Sequence, residues 1–489
     1  MTKPARIWII VSLFLKLIDL SYGDFLLVDV NTTSPVAEIE TTFLSIALDS
    51  DMIAKDLRPI PFDSPKFLAL CEGLSSINVN RPMVYLRIGG SKGDDVVFSE
   101  TGLDIDSEKY ILNSTEWDMI NDFAKKMQWK MIFGVNSLER KHDGSWDPTN
   151  FIKLLRYTTS KGYVVNYELG NEPDLYLGHR DIWIKPEQLA RDFGMLKAIV
   201  IEEGHNIPMI FGPDVATLNR DGYFQKFLEN IDNDILDAVT FHFYYGASEN
   251  ATLQDFIDPL YLDKFLDYTN SAKKMIKKGA TKDTPIWIGE TASTYGGGAE
   301  ALSDRYAAGF LWLDKLGLAA RLNITMVIRQ TLLGGKYALI SKNLFPSPDY
   351  WLSVLYKQLV GHRVLDVTGS LEKSRKFRIY SHCVNEFGSH KYFQGSVVII
   401  AINLDPREDM TFNLSGSLSN LAADEFVFEP IGDATARQVM LNGHLLELVD
   451  DVALPDFSPK PTSPPFVMPP LRYGFFVIKN AKIGACMWR

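Results

Sequence analysis

A chain of 489 residues, 46% hydrophobic and 23% charged, is too apolar for disorder and long enough for a barrel-sized domain with a smaller companion. Its formal charge of -11 excludes a generally basic surface of the kind that binds nucleic acid or anionic membranes. A polyanionic substrate would have to be met by a local basic groove.

The first residues place Lys3 and Arg6 ahead of an apolar stretch from Ile7 and close on the small-x-small sequence Ser21-Tyr22-Gly23. This predicts a secretory signal peptide over residues 1–23, cut after Gly23. Lys16 and Asp19 interrupt the run, which makes a stable membrane anchor the weaker reading. Sequons at Asn31, Asn113, Asn250, Asn323 and Asn413 agree with a secreted glycoprotein, although each tripeptide alone is weak. Three cysteines, Cys71, Cys383 and Cys486, are too few for a disulfide scaffold and lack zinc-site spacing. One bridge and one free thiol is their natural division. Cys71 sits in "KFLALCEGL", an amphipathic helix pattern that suits a buried thiol.

Residues 24–40 contain "DFLLVDV", a short strand expected to pair with a C-terminal sheet. Strand and helix patterns then alternate. Strands are predicted at Phe43–Ala47, Val84–Ile88, Met131–Gly134, Val164–Leu169, Met209–Gly212, Ala238–Tyr244, Ile286–Gly289 and Met326–Arg329. Helical patterns such as "SPKFLALCEGL", "STEWDMINDFAKKM", "PTNFIKLLRYTTSKG", "KPEQLARDFGMLKAIVIEEG" and "LSDRYAAGFLWLDKLGLAAR" lie between them. Eight such units over residues 41–360 predict an α/β fold, a (β/α)8 TIM barrel. A doubly wound sheet also alternates, but no Gly-rich fingerprint follows the first strand. Residues 361–489 change to short alternating strands, which predicts an additional antiparallel β-sandwich domain. Within it, "FSPKPTSPPFVMPP" is expected to be a surface connection without a regular element.

Strand ends of such a barrel face the active site. Glu172, just after strand four in "YELGNEPD", and Glu290, directly after strand seven in "IWIGETASTYGGG", are acids at such ends. Converging carboxylates point to glycoside hydrolysis, with helix capping and metal binding as competing uses. Asn171 can hold a sugar hydroxyl, and Pro173 limits the backbone freedom of the acid. The run Tyr295-Gly296-Gly297-Gly298 either lets backbone approach a ligand or is a plain loop.

These two motifs, with "VIRQTLLGG", "PDYWLSVLYKQLVG" and "FFVIKNAKIGAC", resemble the heparanase family of endo-β-glucuronidases, glycoside hydrolase family 79, from the first barrel strand to the C-terminus. The resemblance implies a secreted retaining enzyme without metal or organic cofactor, in which Glu172 is the acid/base and Glu290 the nucleophile. Retention needs the two carboxyl groups about 5 to 5.5 Å apart. It also needs different protonation states, so the surroundings are expected to raise Glu172 and keep Glu290 ionised. Arg87 in "YLRIGG" is a candidate for the second task, or else ties strand ends together. By the same resemblance Tyr244 lies near the nucleophile, against the alternative of buried aromatic packing. Asp49 lies at the substrate's non-reducing side and Asn171 beside the acid, while Gln330 is placed for a sugar contact. Gly296, Gly297, Gly335 and Tyr337 receive the uronate carboxylate, with Tyr295 at the head of that run. Cys383 and Cys486 form the bridge.

The expected partner is a glycosaminoglycan, heparan sulfate first and hyaluronan, as for leech hyaluronidases, second; a catalytically silent glycosaminoglycan-binding homologue is the reading from a different class. Location is expected to be extracellular or lysosomal. Two departures stand out. Vertebrate members carry a long excised linker after the second barrel strand, whereas Ser91 to Lys130 is short here, which predicts a working single chain. The family's basic stretches are also missing: "ATLNRDGYF" retains only Arg220. The cluster Lys273, Lys274, Lys277, Lys278 and Lys282 leads into strand seven, which places it at the face opposite the catalytic mouth.

Overall fold

The computed structural model describes residues 25–75, 83–102, 109–203, 208–279, 281, 283–369, 375–390 and 392–487. The expected signal peptide at 1–23, and Lys282, lie outside them. Eight parallel strands close a barrel: β1 (Leu44–Asp49), β2 (Tyr85–Gly89), β3 (Lys130–Val135), β4 (Val165–Leu169), β5 (Ile210–Val215), β6 (Ala238–Phe243), β7 (Ile286–Thr291) and β8 (Met326–Arg329). β8 pairs back onto β1 through Ile328 and Ser45. Helices Pro65–Leu74, Ser114–Met127, Thr149–Ser160, Pro186–Glu203, Tyr223–Asn230, Pro259–Lys278, Ala308–Arg321 and Pro348–Leu359 follow the strands in turn.

Five strands outrun their predicted ends, β2 and β3 by a single residue. β1, β5 and β7 continue through Asp49, Asp214 and Glu290, polar residues at which an apolar pattern stops being readable. Glu290 therefore lies within β7 rather than after it, in register with His242 of β6.

The barrel interior is filled from below by aromatic rings. Tyr85, Phe211 and Trp287 pack at tilted angles with centroids 4.2 Å apart for Phe211 and Trp287 and 5.7 Å for Tyr85 and Trp287. This dry floor matters to function, because charges placed on it are held away from bulk water on that side and interact strongly.

After Leu359 the chain builds two packed sheets. One runs through Val360–Leu365, Phe377–Val384, Val397–Asn403, Arg472–Ile478, Ala423–Pro430 and Val439–Leu441, with Ala37–Glu38 at an edge. The other joins Val367–Gly369, Phe25–Val30, Met410–Leu414 and Phe466–Met468. The N-terminal strand thus lies in parallel against Met410–Leu414, Leu26 opposite Phe412. The Pro-rich stretch departs from expectation: Lys460–Thr462 and Phe466–Met468 are strands, both on sheet edges, where a missing N–H breaks no central ladder. Cys383 and Cys486 form a disulfide, their Cα atoms 5.4 Å apart, and Cys71 is the buried free thiol.

Helix Ala308–Arg321 joins barrel to sandwich. It is shorter than the predicted pattern, starting after Tyr306, whose hydroxyl donates to Phe428 O across the junction. Its buried Asp314 accepts a hydrogen bond from Tyr380 of the sandwich at 2.7 Å. A helix apolar nearly all round is what burial between two layers requires.

Asn31, Asn250 and Asn323 are exposed, and Asn113 and Asn413 are half-buried. The lysine-bearing helix Pro259–Lys278 ends where β7 begins, and Lys273 donates to Leu322 O. No helix among the described residues is long and apolar enough to cross a membrane.

Candidate active site

A layer of charge rests on the aromatic floor, centred on Arg87 of β2. Its Nε donates to Glu168 Oε2 at 2.7 Å, its Nη1 to Glu290 Oε2 at 2.9 Å and its Nη2 to Asn171 Oδ1 at 3.1 Å. Asp214 Oδ2 lies 3.8 Å from Nη2. The guanidinium folds over Gly89, where a Cβ would stand 2.6 Å from Arg87 Cζ. Burial opposes the charge on Arg87, but Glu168, Asp214 and Glu290 outweigh it and hold the guanidinium protonated. Burial pushes the Glu168 carboxyl up to about 8 despite the pull of Arg87. Burial also pushes against Asp214, yet Arg87 and His242 win there and hold it below the usual carboxylate range.

Glu172 stands across the mouth from Glu290. It follows Gly170 and Asn171 at the end of β4 and adopts a left-handed backbone, φ 54° and ψ 52°. That conformation is costly for a residue with a Cβ. Its own N–H donates to Asp214 O at 3.0 Å and its carbonyl accepts from Leu175 N at 2.8 Å, which ties the acid in place. His242 Nδ1 is 2.9 Å from Glu172 Oε1. Its Nε2 lies 3.2 Å from Asp214 Oδ1, an ion-pair contact without hydrogen-bond alignment. Burial pulls the imidazole down, but Glu290, Asp214 and Glu172 together raise it to about 10, so the ring carries a proton on both nitrogens.

Glu172, His242 and Glu290 bring one ligand atom each within 4.8 Å of one another. A metal would need a neutral imidazole with a free lone pair. Here Nδ1 already faces Glu172 and Nε2 faces Asp214, so the geometry is that of an imidazole held between two carboxylates.

The predicted residues gather around these acids. Tyr244 OH donates to Glu290 Oε1 at 2.7 Å, and its ring stacks on Tyr337 with centroids 6.4 Å apart. Gln330 Nε2 donates to Asp49 Oδ2 at 2.7 Å. Burial, with the charge of Glu290 adding, pushes Asp49 up to about 7. The two glycine turns touch: Lys336 N donates to Gly297 O, beside Gly335, and Gly297 has φ +85°, a left-handed turn that leaves its backbone open to a ligand. Gly296 lies on the same exposed turn. Tyr295 stands apart as a 55% exposed rim residue, tied by its backbone to Gly246 and Ser248.

His242, Asp214 and Glu168 are site residues that the sequence motifs do not single out. A usable signal existed for His242: it lies two positions before Tyr244 within the predicted strand Ala238–Tyr244, which puts both on one face. Asp214 had none, because it follows a Gly-Pro pair where the strand pattern had ended.

The family description "Glycosyl hydrolase family 79, N-terminal domain" matches residues 28–317. The chain is 35% identical to bovine (Bos taurus) heparanase, over 93% of this chain and 92% of that protein. It is 30% identical to the hyaluronoglucuronidase of the leech Hirudo nipponia, over 94% and 99% of the two chains, and 30% identical to human (Homo sapiens) inactive heparanase-2, over 95% and 90%. Among solved structures, a 4-O-α-L-rhamnosyl-β-D-glucuronidase from Fusarium oxysporum has the same fold, with a TM-score of 0.67, 14% identity, and coverage of 92% of this chain and 98% of that one.

Proposed function

The chain belongs to glycosyl hydrolase family 79 and is an endo-β-glucuronidase, and we propose that it hydrolyses glucuronic-acid linkages of glycosaminoglycans with retention of configuration. The observation that carries the mechanism is that one carboxylate oxygen of Glu172 and one of Glu290 lie within 4.8 Å of each other. Retaining pairs stand about 5 to 5.5 Å apart and inverting pairs about 6.5 to 9.5 Å, the latter leaving room for a water.

Glu290, held against Arg87 and Tyr244, attacks the anomeric carbon as the bond to the leaving oxygen breaks. Glu172 gives its proton to that oxygen. In the second step Glu172, now a carboxylate, takes a proton from water. The water oxygen bonds to the anomeric carbon, the ester to Glu290 breaks, and Glu172 is protonated again. Asp49, Asn171 and Gln330 line the sugar site in this reading, and the Gly296-Gly297 and Gly335 turns with Tyr337 take the uronate carboxylate through backbone N–H groups. Both acids and their partners are in place, which favours an enzyme over a silent binding homologue.

Heparan sulfate is the first substrate in this reading. Hyaluronan is the second, favoured by the pairing of cations on the mouth loops with the chain's own acids: Arg180 with Asp95, Arg220 with Asp174, Lys336 with Glu300. Such pairs leave little free positive charge for sulfate. The amino-terminal pattern and the sequons support an extracellular or lysosomal location. Proton NMR of the first-formed product tests the mechanism: a β-anomer is expected, a first-formed α-anomer overturns retention, and Glu290→Gln should release nothing. Sizing the products from heparan sulfate and hyaluronan ranks the substrates.

A further inference from the structure

Glu172 occupies an unfavourable backbone conformation, so something outside its own segment has to hold it there. The turn Gly93–Asp95, just after β2, reaches across to that segment. Asp94 is 1% exposed and accepts four hydrogen bonds. Its Oδ1 takes Ser137 N at 3.1 Å and Ser137 Oγ at 3.2 Å; its Oδ2 takes Asn171 N at 3.1 Å and Tyr176 OH at 2.8 Å. Asn171 precedes the acid directly, and Tyr176 opens the helix that follows it. Both sides of Glu172 are therefore fastened to one buried carboxylate.

Three further contacts show that the clasp is built rather than incidental. Asp95 binds Arg180 from the same turn, with Nη1 to Oδ1 at 2.5 Å and Nη2 to Oδ2 at 3.0 Å, which secures the far end of the acid's helix. Tyr176 OH also lies 2.8 Å from Ser137 Oγ, so either hydroxyl can turn its proton from Asp94 to the other. Gly170, at φ +79°, leaves room for it, since a Cβ there would stand 2.4 Å from Tyr176 OH and 2.5 Å from Ser137 Oγ. Asn171 is then gripped three times, by Asp94 and Tyr176 OH at its N–H and by Arg87 at its side chain.

We propose that Asp94 is a positioning residue for proton donation: it fixes the Asn171–Glu172 backbone so that the Glu172 carboxyl meets the leaving oxygen. This rests on the reading of Glu172 as the acid. Asp94→Asn is a sharp probe, because one of its two polar atoms becomes a donor. Hydroxyls can swivel to accept it, but Ser137 N–H and Asn171 N–H cannot, so either amide orientation breaks one backbone anchor.

Acid assistance matters for a poor leaving group and hardly at all for a good one, which separates positioning from general damage. The measurement is kcat/KM of the full-length chain on phenyl and 2,4-dinitrophenyl β-glucuronide, for wild type, Asp94→Asn, Tyr176→Phe and Glu172→Gln. Asp94→Asn should lose about 10- to 100-fold on the phenyl glycoside and change little on the dinitrophenyl one, the scale of impaired general acid catalysis. Tyr176→Phe, which removes one donor and keeps the fold, should lose in the same sense by less. Equal losses on both glycosides, or none, for these two variants overturn the proposal. If Glu172→Gln itself loses equally on both, the assignment of Glu172 as acid fails instead.

Discussion

Arg87 Nη1 lies 2.9 Å from Glu290 Oε2, and the same guanidinium binds Glu168 and faces Asp214, so one buried cation answers three carboxylates. The nucleophile's charge and the barrel's stability therefore depend on one side chain. Arg87→Met should cost stability by about 3 to 5 kcal/mol, the scale for stranding buried charges. Adding Glu168→Gln should return part of that stability and none of the activity. Urea unfolding and kcat/KM on the four variants of this cycle check both statements. Wild-type stability in Arg87→Met would show that the carboxylates do not need the guanidinium.

His242 joins Glu172 to Asp214, and its raised proton affinity sets a pH window. An imidazole ordinarily near 6.5 is held to about 10 in the fold. The folded state then binds the proton more tightly, so its contribution to stability is complete below about 6.5 and disappears as pH rises through about 10. Thermal melts of wild type and His242→Gln should lie furthest apart near pH 6 and converge near pH 10. A gap that stays constant over that range would mean that the ring is neutral.

Much of this was legible beforehand, and the limits have physical causes. All eight barrel strands were found because each is a short β-branched or aromatic run flanked by helical periodicity. Their ends were not found at β1, β5 and β7, since Asp49, Asp214 and Glu290 are polar residues in strand conformation, which an active-site layer demands and an apolar pattern hides. Phe466–Met468 was missed because prolines on both sides masked an edge strand. The acids and the glycine turns were readable as motifs. The Arg87, Glu168, Asp214 and His242 network was not, because its members lie on different strands and meet only when the barrel closes.

Asp49 gives a pH dependence of the same sign in a lower window. Burial raises it from 3.8 to about 7, so between those values the folded chain holds a proton that the unfolded chain has lost, and stability falls as pH rises. Asp49→Asn removes that loss. Gln330 can turn its amide and offer Oε1, which has no partner, to the new donor. The variant should melt with wild type near pH 3.5 and be more stable at pH 8, by about 1 kcal/mol once partial contact with water is discounted. Differential scanning calorimetry at the two pH values decides, and a variant less stable at pH 8 would place a full charge on native Asp49.

Two strands after β2 form a small sheet of their own beside the barrel, which bears on maturation. Val96–Ser99 pairs in parallel with Tyr110–Asn113, Phe98 opposite Leu112. Phe98 exchanges two hydrogen bonds with Asn150 of the next helix but one, N to Oδ1 at 2.8 Å and Nδ2 to O at 2.9 Å. Asn113 then caps helix Ser114–Met127 in a capping box with Glu116. The turn that holds Asp94 and Asp95 leads directly into Val96–Ser99, so the anchors of the acid loop adjoin this small sheet. None of these contacts requires a free chain end, and we expect the purified intact chain to be active as one polypeptide. Activity and denaturing gels followed together during limited proteolysis between Gly102 and Lys109 test this. Cleavage should leave activity unchanged or lower it; an intact chain that stays inactive until cut there would show that the segment blocks the site.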